Sequence, residues 1–255
     1  MAQNDTTARL WRDLLAAFGL LTRFPLPVMT PVGANAAWAW PLAGAGVALV
    51  AAAGAGAALW LGLGAGLAAG LAIALQVMLT GAMHEDGLAD SADGLWGGHD
   101  RARRLEIMKD SRIGSYGVMA LLLVVGLRWQ ALAGLMAAGA VWGPLLTAAL
   151  MSRAVMAGVM SALPNARGSG LANAVGRPEP FVALMACGLA LALGLGLCGW
   201  AALTAALGAG LAATGVARLA LARIGGQTGD ILGSVQQVSE LAVLMVFAGQ
   251  VGLSG

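Results

Sequence analysis

The chain has 255 residues, of which 59% are hydrophobic and only 10% are charged. Its mean hydropathy of +0.82 lies far above that of a soluble globular domain, so the composition predicts an integral membrane protein. The net charge of +2 comes with no basic patch, and nucleic acid is therefore not expected as a partner. The two cysteines share one apolar run without metal-ligand spacing, which favours a packing role.

The pattern of apolar residues predicts a series of helices. Leucines at helical spacing near the N-terminus indicate an amphipathic helix over 8–22, lying in the membrane interface. About seven apolar runs follow, each near the ~20 residues that cross the core of a bilayer. They are 37–61, 65–84, 117–138, 142–162, 181–199, 201–221 and 236–253. The expected fold class is an all-α polytopic membrane protein with a single catalytic domain, 1–255.

The connections between these runs alternate between polar segments and short uncharged turns. The polar ones, 85–116, 163–180 and 222–235, all emerge on one side if the N-terminus lies inside. Most of the lysines and arginines fall on or next to that side, so the positive-inside rule makes it the cytoplasm. The other turns are short and uncharged. We therefore expect the working face to be cytoplasmic.

The stretch HEDGLADSADG, 84–94, concentrates negative charge at the end of an apolar run. If the second run continues as a helix, Asp86, Asp90 and Asp93 stand at i, i+4 and i+7, on one face. Oxygen ligands of this kind suit Mg²⁺ or Mn²⁺, whereas a solvated helix end is the plain alternative. Gly87 and Gly94 are expected to leave backbone space there for a large group such as a pyrophosphate.

His84 opens this stretch, but no second histidine follows at the spacing of HExxH, so zinc is disfavoured. We expect His84 to be a hydrogen-bonding neighbour of the acids. In RARRLEIMKDSRIGSYG, 101–117, Lys109 and Arg112 are candidates for binding phosphate oxygens. A surface helix with side-chain ion pairs explains that segment equally well.

The segment GGQTGDILGS, 225–234, has glycines that permit a tight turn and polar groups that project from it. These groups belong to Gln227, Thr228 and Asp230; Asp230 is either a further metal ligand or part of a simple turn. Three ionisable residues fall within apolar runs, where charge is costly: Arg128, Arg153 and Glu240. Arg153 and Glu240 are candidates for lining a polar cavity beneath the loops.

The motifs HEDGLADSADG, EIMKDSRIGSYG, SR at 152–153, NARGSGL at 165–171 and GGQTGDILGS together resemble the cobalamin synthase family. The family is also called adenosylcobinamide-GDP ribazoletransferase, and the resemblance covers most of the chain. NARGSGL departs from the more usual form of its motif, so the resemblance assigns Arg167 no role.

The resemblance implies a multi-pass enzyme of the bacterial cytoplasmic (inner) membrane that depends on Mg²⁺. Its members join adenosylcobinamide-GDP to α-ribazole or α-ribazole 5′-phosphate and release GMP. By motif, Asp86, Asp90 and Asp93 are the expected metal-binding and catalytic acids, with Asp93 a candidate general base. The other expected substrate-binding residues are His84, Lys109, Arg112, Arg153, Gln227, Thr228 and Asp230. Membrane lipid is a further expected partner, and a second copy of the chain or another enzyme of the pathway is a candidate partner.

Two other functions compete with this interpretation. CDP-alcohol phosphotransferases also expel a nucleoside monophosphate at a membrane, but their DGxxAR pattern is absent, because Ala89 is followed by Asp90. A secondary transporter would place its acids near the membrane midplane, often in two related repeats. Here the acids lie at the end of a run, and the second half of the chain does not clearly repeat them.

Overall fold

The computed structural model describes residues 2–27 and 33–253. Over these ranges the chain is helical, which confirms the all-α fold class, and a 3₁₀ helix (Ala34–Ala39) precedes α2. The α-helices are α1 (Ala2–Leu21), α2 (Trp40–Trp60), α3 (Ala65–Thr80), α4 (Met83–Gly97), α5 (Arg101–Ile107), α6 (Ser115–Ala137), α7 (Trp142–Ala162), α8 (Leu171–Val175), α9 (Pro180–Cys198), α10 (Ala201–Ile224) and α11 (Gly229–Leu253).

Six segments of the described chain are long and apolar enough to cross a membrane. They are Ala34–Trp60, Ser115–Ala137, Trp142–Ala162, Pro180–Cys198, Ala201–Ile224 and Gly229–Val251. The pair α3 and α4 passes the same test together and would make a seventh span, but it is bent by 89°. The protein is therefore a multi-pass membrane protein with about seven spans, as the sequence predicts.

The bend between α3 and α4 contradicts the expected straight run over 65–84. Helix α3 ends at Thr80 because Gly81 adopts the left-handed conformation that terminates helices, with a φ of +66°. Ala82 follows with a φ of +58°, a strained value for a residue with a side chain. A new helix then begins at Met83 in a different direction. The acidic stretch therefore has a helix of its own, outside the straight spans.

The N-terminal helix expected at 8–22 is confirmed and is longer than predicted, as Ala2–Leu21. It packs against α2 and the 3₁₀ helix. The indole Nε1 of Trp38 in the 3₁₀ helix donates a hydrogen bond of 3.1 Å to Asp13 Oδ2 in α1, which links these two helices. Trp11 on the same helix is exposed, as an interfacial helix requires.

The last helix begins earlier than expected, so the predicted run 236–253 and loop 222–235 are both wrong at this boundary. Helix α10 continues to Ile224, and α11 begins at Gly229. The Thr228 hydroxyl caps α11, because its Oγ1 accepts the Ile231 N–H at 3.3 Å. Asp230 consequently lies in the first turn of a helix rather than in a loop.

Small side chains pack the helices of the bundle. Helix α10 contacts α7, α9 and α11. Its buried face consists of alanines at helical spacing, apart from one isoleucine: Ala202, Ala205, Ala209, Ala213, Ala217, Ala220 and Ile224. Such residues let helices approach closely where lipid offers no hydrophobic driving force.

Candidate functional site

The polar connections meet at one end of the bundle through backbone pairing. The Gln227 N–H donates to the Pro164 carbonyl at 2.8 Å, and the Ala166 N–H donates to the Gln227 carbonyl at 2.8 Å. Any Cβ at Gly226 would overlap the Pro164 carbonyl, so this approach needs glycine. The segment around NARGSGL is thereby held beside the start of α11.

Arginines of α5 join the remaining polar connection to the same end. Arg101 donates from Nε to the Ile224 carbonyl at 2.7 Å and from Nη2 to the Ala166 carbonyl at 3.0 Å. Arg104 donates to the Arg223 carbonyl at 3.1 Å. The bonds to Ile224 and Arg223 satisfy carbonyls at the C-terminus of α10 that have no partner within the helix. The expectation that the three polar connections share one side is confirmed.

The glycines of the acidic stretch do not leave space for a pyrophosphate, contrary to the expectation for them. A Cβ on Gly87 would lie 2.9 Å from the Asp230 carbonyl oxygen and 3.2 Å from the Gly233 Cα. A Cβ on Gly94 would lie 3.0 Å from the Met108 sulfur. Both glycines allow a neighbouring helix to approach: α11 at Gly87 and α5 at Gly94. The close crossing of α4 and α11 is what brings Asp230 to the acidic helix.

The aspartates of α4 differ in burial. Asp86 is exposed, Asp90 is half-buried and Asp93 is 7% exposed. Asp90 lies within electrostatic reach of the carboxylates of Asp86, Asp230 and Asp93, and of the Arg167 guanidinium. The site therefore gathers several negative charges that repel one another, an arrangement that a bound cation would stabilise.

Asp93 is held by the start of α6. Its Oδ2 accepts the Gly114 N–H at 2.7 Å, and its Oδ1 accepts the Gly117 N–H at 2.9 Å. A Cβ at either glycine would overlap the carboxylate. Asp93 thus caps a helix from a distance, and the two glycines of RIGSYG make room for it.

Arg167 is a site residue that the sequence reasoning did not assign. Its Nη2 donates to Asp230 Oδ2 at 2.7 Å and lies 3.4 Å from the Met108 carbonyl. The Asn165 side chain accepts the Arg167 N–H at 2.9 Å, a turn that fixes the backbone. Thr228 Oγ1 also donates to Asp230 Oδ2, at 3.2 Å. The sequence signal that could have indicated Arg167 as a site residue is its position as an arginine in a polar segment between glycine-rich motifs.

Lys109 and Arg112, expected to bind phosphate, lie on the surface of the same end. Lys109 is exposed. Arg112 pairs with Asp110 at 2.6 Å, and hydrogen bonds from Arg112 hold the pKa of Asp110 at about 2. Neither cation is within hydrogen-bonding distance of the three aspartates of α4 in this structure. Arg112 therefore matches the alternative interpretation, in which this segment forms ion pairs on the surface.

Arg153 lies in a buried network instead of at the aspartates. It is 3% exposed and pairs with Glu240, which also pairs with Arg128 at 2.6 Å. Glu240 is ten residues from Asp230 along α11, which is about 15 Å in a helix. Arg153 is therefore too far down the bundle to share a phosphate with Asp230.

His84 and Gln227 are buried, at 2% exposure each. Among the described residues, neither His84 Nε2 nor Gln227 Oε1 has a hydrogen-bond partner. His84 is expected to be a hydrogen-bonding neighbour of the acids, and its Nε2 makes no such bond in the described part of the chain. Gln227 contributes its backbone to the site, by pairing with the segment of Arg167.

The carboxylate oxygens at this end of the bundle could bind a hard cation only if a further ligand completed its coordination. Within the described residues, no group of three or more His, Cys, Asp and Glu side chains is arranged to hold a metal ion. Mg²⁺ is typically bound through one or two carboxylates, with water and substrate phosphates completing its coordination. Asp86, Asp90 and Asp230 offer carboxylate oxygens for that arrangement.

Comparison with known proteins identifies the family. The family model for cobalamin-5-phosphate synthase matches residues 13–248. This chain belongs to that family. Among its curated relatives, the adenosylcobinamide-GDP ribazoletransferase of Bradyrhizobium diazoefficiens is 43% identical over 96% of both chains. The proteins of that name from Rhizobium meliloti and Mesorhizobium japonicum are 46% identical over 70% and 42% identical over 92% of this chain, covering 71% and 92% of their own lengths. No solved structure matches the chain.

Membership of the cobalamin-5-phosphate synthase family agrees with the resemblance read from the motifs. The relatives are named as transferases, which makes this chain an enzyme of that general class. The comparisons favour neither a lipid head-group transferase nor a transporter. Every motif that carries the resemblance lies within the matched range, 13–248.

Proposed function

We propose that this protein is an adenosylcobinamide-GDP ribazoletransferase of the cobalamin pathway. It joins adenosylcobinamide-GDP to α-ribazole or α-ribazole 5′-phosphate, and it gives adenosylcobalamin or its 5′-phosphate with GMP. The observation that carries the proposal is the 43% identity to a protein of that name over 96% of both chains. The acidic end of the bundle supports it, because a pyrophosphate substrate needs its charge neutralised.

The reaction is a displacement at phosphorus. A ribose hydroxyl of the acceptor attacks the phosphorus that carries the cobinamide, a new O–P bond forms, and the P–O bond to GMP breaks. The hydroxyl loses its proton, and the electron pair of the broken bond leaves with GMP. Catalysis of such a transfer consists mainly of positioning and of stabilising negative charge.

Asp86, Asp90 and Asp230 would hold Mg²⁺ at the site. When bound, the ion neutralises charge on the pyrophosphate and the leaving phosphate. Asp86 is the most exposed of the three and is open to a ligand from the polar end. Asp230 keeps Oδ1 free of the hydrogen bonds that Arg167 and Thr228 make to Oδ2. Phosphate oxygens of the substrate would supply the ligands that these carboxylates do not.

Asp90 has free oxygens to accept a proton, whereas Asp93 does not. Each carboxylate oxygen of Asp93 already accepts a backbone N–H. Asp90 is half-buried beside the other acids, and no side-chain hydrogen bond to it is present in the described part of the chain. We therefore assign proton removal to the Asp90 oxygen that would not bind the ion, and a positioning role to Asp93.

Arg167 supplies the positive charge inside the site. Its guanidinium faces Asp230 and is only 13% exposed, so a phosphate oxygen at Asp230 would meet it in a partly desolvated setting. Lys109 and Arg112 lie farther out, where their side chains can attract the anionic substrate before it docks. The polar end is assigned to the cytoplasmic side of the inner membrane, in accordance with the positive-inside rule.

Asp86→Asn tests the proposal. Purified protein in detergent, supplied with adenosylcobinamide-GDP, α-ribazole and Mg²⁺, is expected to release GMP, and EDTA is expected to stop the release. Because Asp86→Asn removes an ionised oxygen ligand, we expect the rate of GMP release to fall at least a hundredfold. Unfolding midpoints measured alongside show whether the variant is folded.

Glu106→Gln is the matched control. Glu106 is an exposed acid at the same end, paired with Arg103 on α5 at 2.8 Å and away from the aspartates of α4. Its neutralisation should leave GMP release within twofold of wild type. Absence of GMP from folded wild-type protein with both substrates and Mg²⁺ would refute the proposed function. Near-normal release by folded Asp86→Asn would refute the assignment of that residue.

A further inference from the structure

A cavity lies next to the acidic site and is separate from it. Its walls come from the ends of α1, α2, α4, α7, α8 and α11 at the polar end of the bundle. The lining is mainly aliphatic and sulfur-containing, with Met83, Met156 and Met160 among its side chains. Methionine packs well against aromatic rings, so this lining suits a flat aromatic group.

Two residues in the walls of this cavity each have a buried ring nitrogen that lacks a partner. Trp40 and His84 both line it, and each is only 2% exposed. Trp40 Nε1 and His84 Nε2 have no hydrogen-bond partner within the described part of the chain. A buried polar atom without a partner costs free energy, so a ligand that satisfies these atoms would be favoured. Because an indole N–H can only donate, that ligand must carry an acceptor.

The cavity shares helix turns with the acidic site. His84 precedes Asp86 by two residues in α4, a Cα separation of about 5.4 Å in a helix. Gly229, which also lines the cavity, directly precedes Asp230. Residues two apart point to different faces of a helix, so a ribose attached to a group in the cavity must extend around the start of α4 to reach the carboxylates.

We infer that this cavity binds the benzimidazole base of the ribazole acceptor, with Trp40 Nε1 donating a hydrogen bond to its free ring nitrogen. The inference rests on the proposed function and names the subsite for one of its substrates. The dimethylated benzimidazole of α-ribazole is flat, largely apolar and has one ring nitrogen available as an acceptor. Guanine carries several donors and acceptors, most of which this lining would leave unsatisfied.

Trp40→Phe is the first test, with binding measured without chemistry. Equilibrium dialysis of α-ribazole against the protein in lipid nanodiscs, without Mg²⁺ or the GDP substrate, gives the dissociation constant. Loss of the indole donor should weaken α-ribazole binding about three- to tenfold, and free dimethylbenzimidazole should compete where guanosine does not. Trp38→Phe is the control, because Trp38 Nε1 is hydrogen-bonded to Asp13 and Trp38 does not line this cavity.

Ala172→Phe is the second test and fills the cavity from α8, a short helix at its edge. It should abolish detectable α-ribazole binding, while the dissociation constant for adenosylcobinamide-GDP, measured by the same dialysis, stays within about twofold of wild type. Unchanged α-ribazole binding in folded Trp40→Phe and Ala172→Phe would overturn the inference, and so would failure of dimethylbenzimidazole to compete. These binding measurements need no turnover, so they test the inference alone. GMP release by the wild-type protein tests the proposed function separately.

Discussion

At the scale of single residues, the three aspartates of α4 divide into two kinds. Asp86 is exposed at the polar end, with other carboxylates nearby. Asp93 is buried, and both of its oxygens accept N–H groups from the first turn of α6. The regular helical spacing in the sequence therefore does not distinguish a carboxylate that is open to ligands, Asp86, from one that joins two helices, Asp93.

Replacing each of these aspartates by alanine should separate stability from ligand binding. Asp93→Ala leaves the N–H groups of Gly114 and Gly117 without an acceptor, so the free energy of unfolding should fall by about 1–3 kcal/mol. Asp86→Ala relieves repulsion among carboxylates and should leave that free energy unchanged or slightly higher. Unfolding of both variants in mixed micelles without Mg²⁺ measures the difference, and equal losses would contradict this division.

The residue types of the site could be predicted from the sequence, but their partners could not. The spacing of the aspartates indicates one helical face, and α4 has that face. That Asp93 caps α6 depends on contacts across 21 and 24 residues, which no local pattern encodes. Arg167 meets Asp230 across 63 residues for the same reason.

At the scale of helices, the crossing of α4 and α11 determines the geometry of the site. Gly87 and Gly233 face each other there, and the Ser234 hydroxyl donates to the Gly87 carbonyl at 3.3 Å. The glycines let the two backbones approach, which keeps Asp230 beside the acids of α4. A side chain at Gly87 would press against the backbone of α11 at Asp230, and backbone cannot move aside as a flexible side chain can.

Gly87→Ala should therefore reduce both stability and activity. A Cβ there would lie 2.9 Å from the Asp230 carbonyl oxygen, so α4 and α11 must separate by some tenths of an ångström. We expect a loss of about 1–3 kcal/mol in the free energy of unfolding and at least a tenfold fall in GMP release.

Gly56→Ala is the matched control for this prediction. Gly56 lies inside α2, and a Cβ there meets nothing within 4 Å. Alanine at that position should raise the free energy of unfolding by up to about 1 kcal/mol, because alanine favours helix. If Gly87→Ala also behaves in this way, the close crossing is not needed for the site.

Helix boundaries show where local signals were insufficient. The apolar run 65–84 contains no proline or charge before its end, so the turn at Gly81 and Ala82 was not expected from composition. Similarly, Gly225 and Gly226 indicated a turn, but polar residues after it concealed that α11 begins at Gly229. Those polar residues are buried by neighbouring helices, which is a tertiary effect.

At the scale of the whole molecule, a buried polar network ties the spans together beneath the site. Glu240 of α11 binds Arg128 of α6 and Arg153 of α7, and Gln237 links Arg128 to Glu85 of α4. Gln76 of α3 donates to Glu240 at 3.0 Å. The sequence predicts that Arg128, Arg153 and Glu240 are costly within the spans, and the structure shows that these three residues together with Glu85 balance their charges.

The balance of charge in this network predicts which substitution damages the fold most. Arg128 and Arg153 are opposed by Glu240 and, at 3.7 Å from Arg128, by Glu85. Glu240→Gln keeps the shape of the side chain but leaves one buried positive charge in excess. We expect a loss of about 3–5 kcal/mol in the free energy of unfolding, measured in mixed micelles.

Two companion variants show whether charge balance is the cause. Ser239→Ala removes a neighbouring buried hydroxyl that donates to the Ala209 carbonyl, outside the network, and should cost about 1 kcal/mol or less. Adding Arg153→Met to Glu240→Gln removes the excess charge, since Arg128 then faces Glu85 alone. The double variant should therefore be more stable than Glu240→Gln. If it is less stable than that single variant, the network contributes through its hydrogen bonds and packing rather than through charge balance.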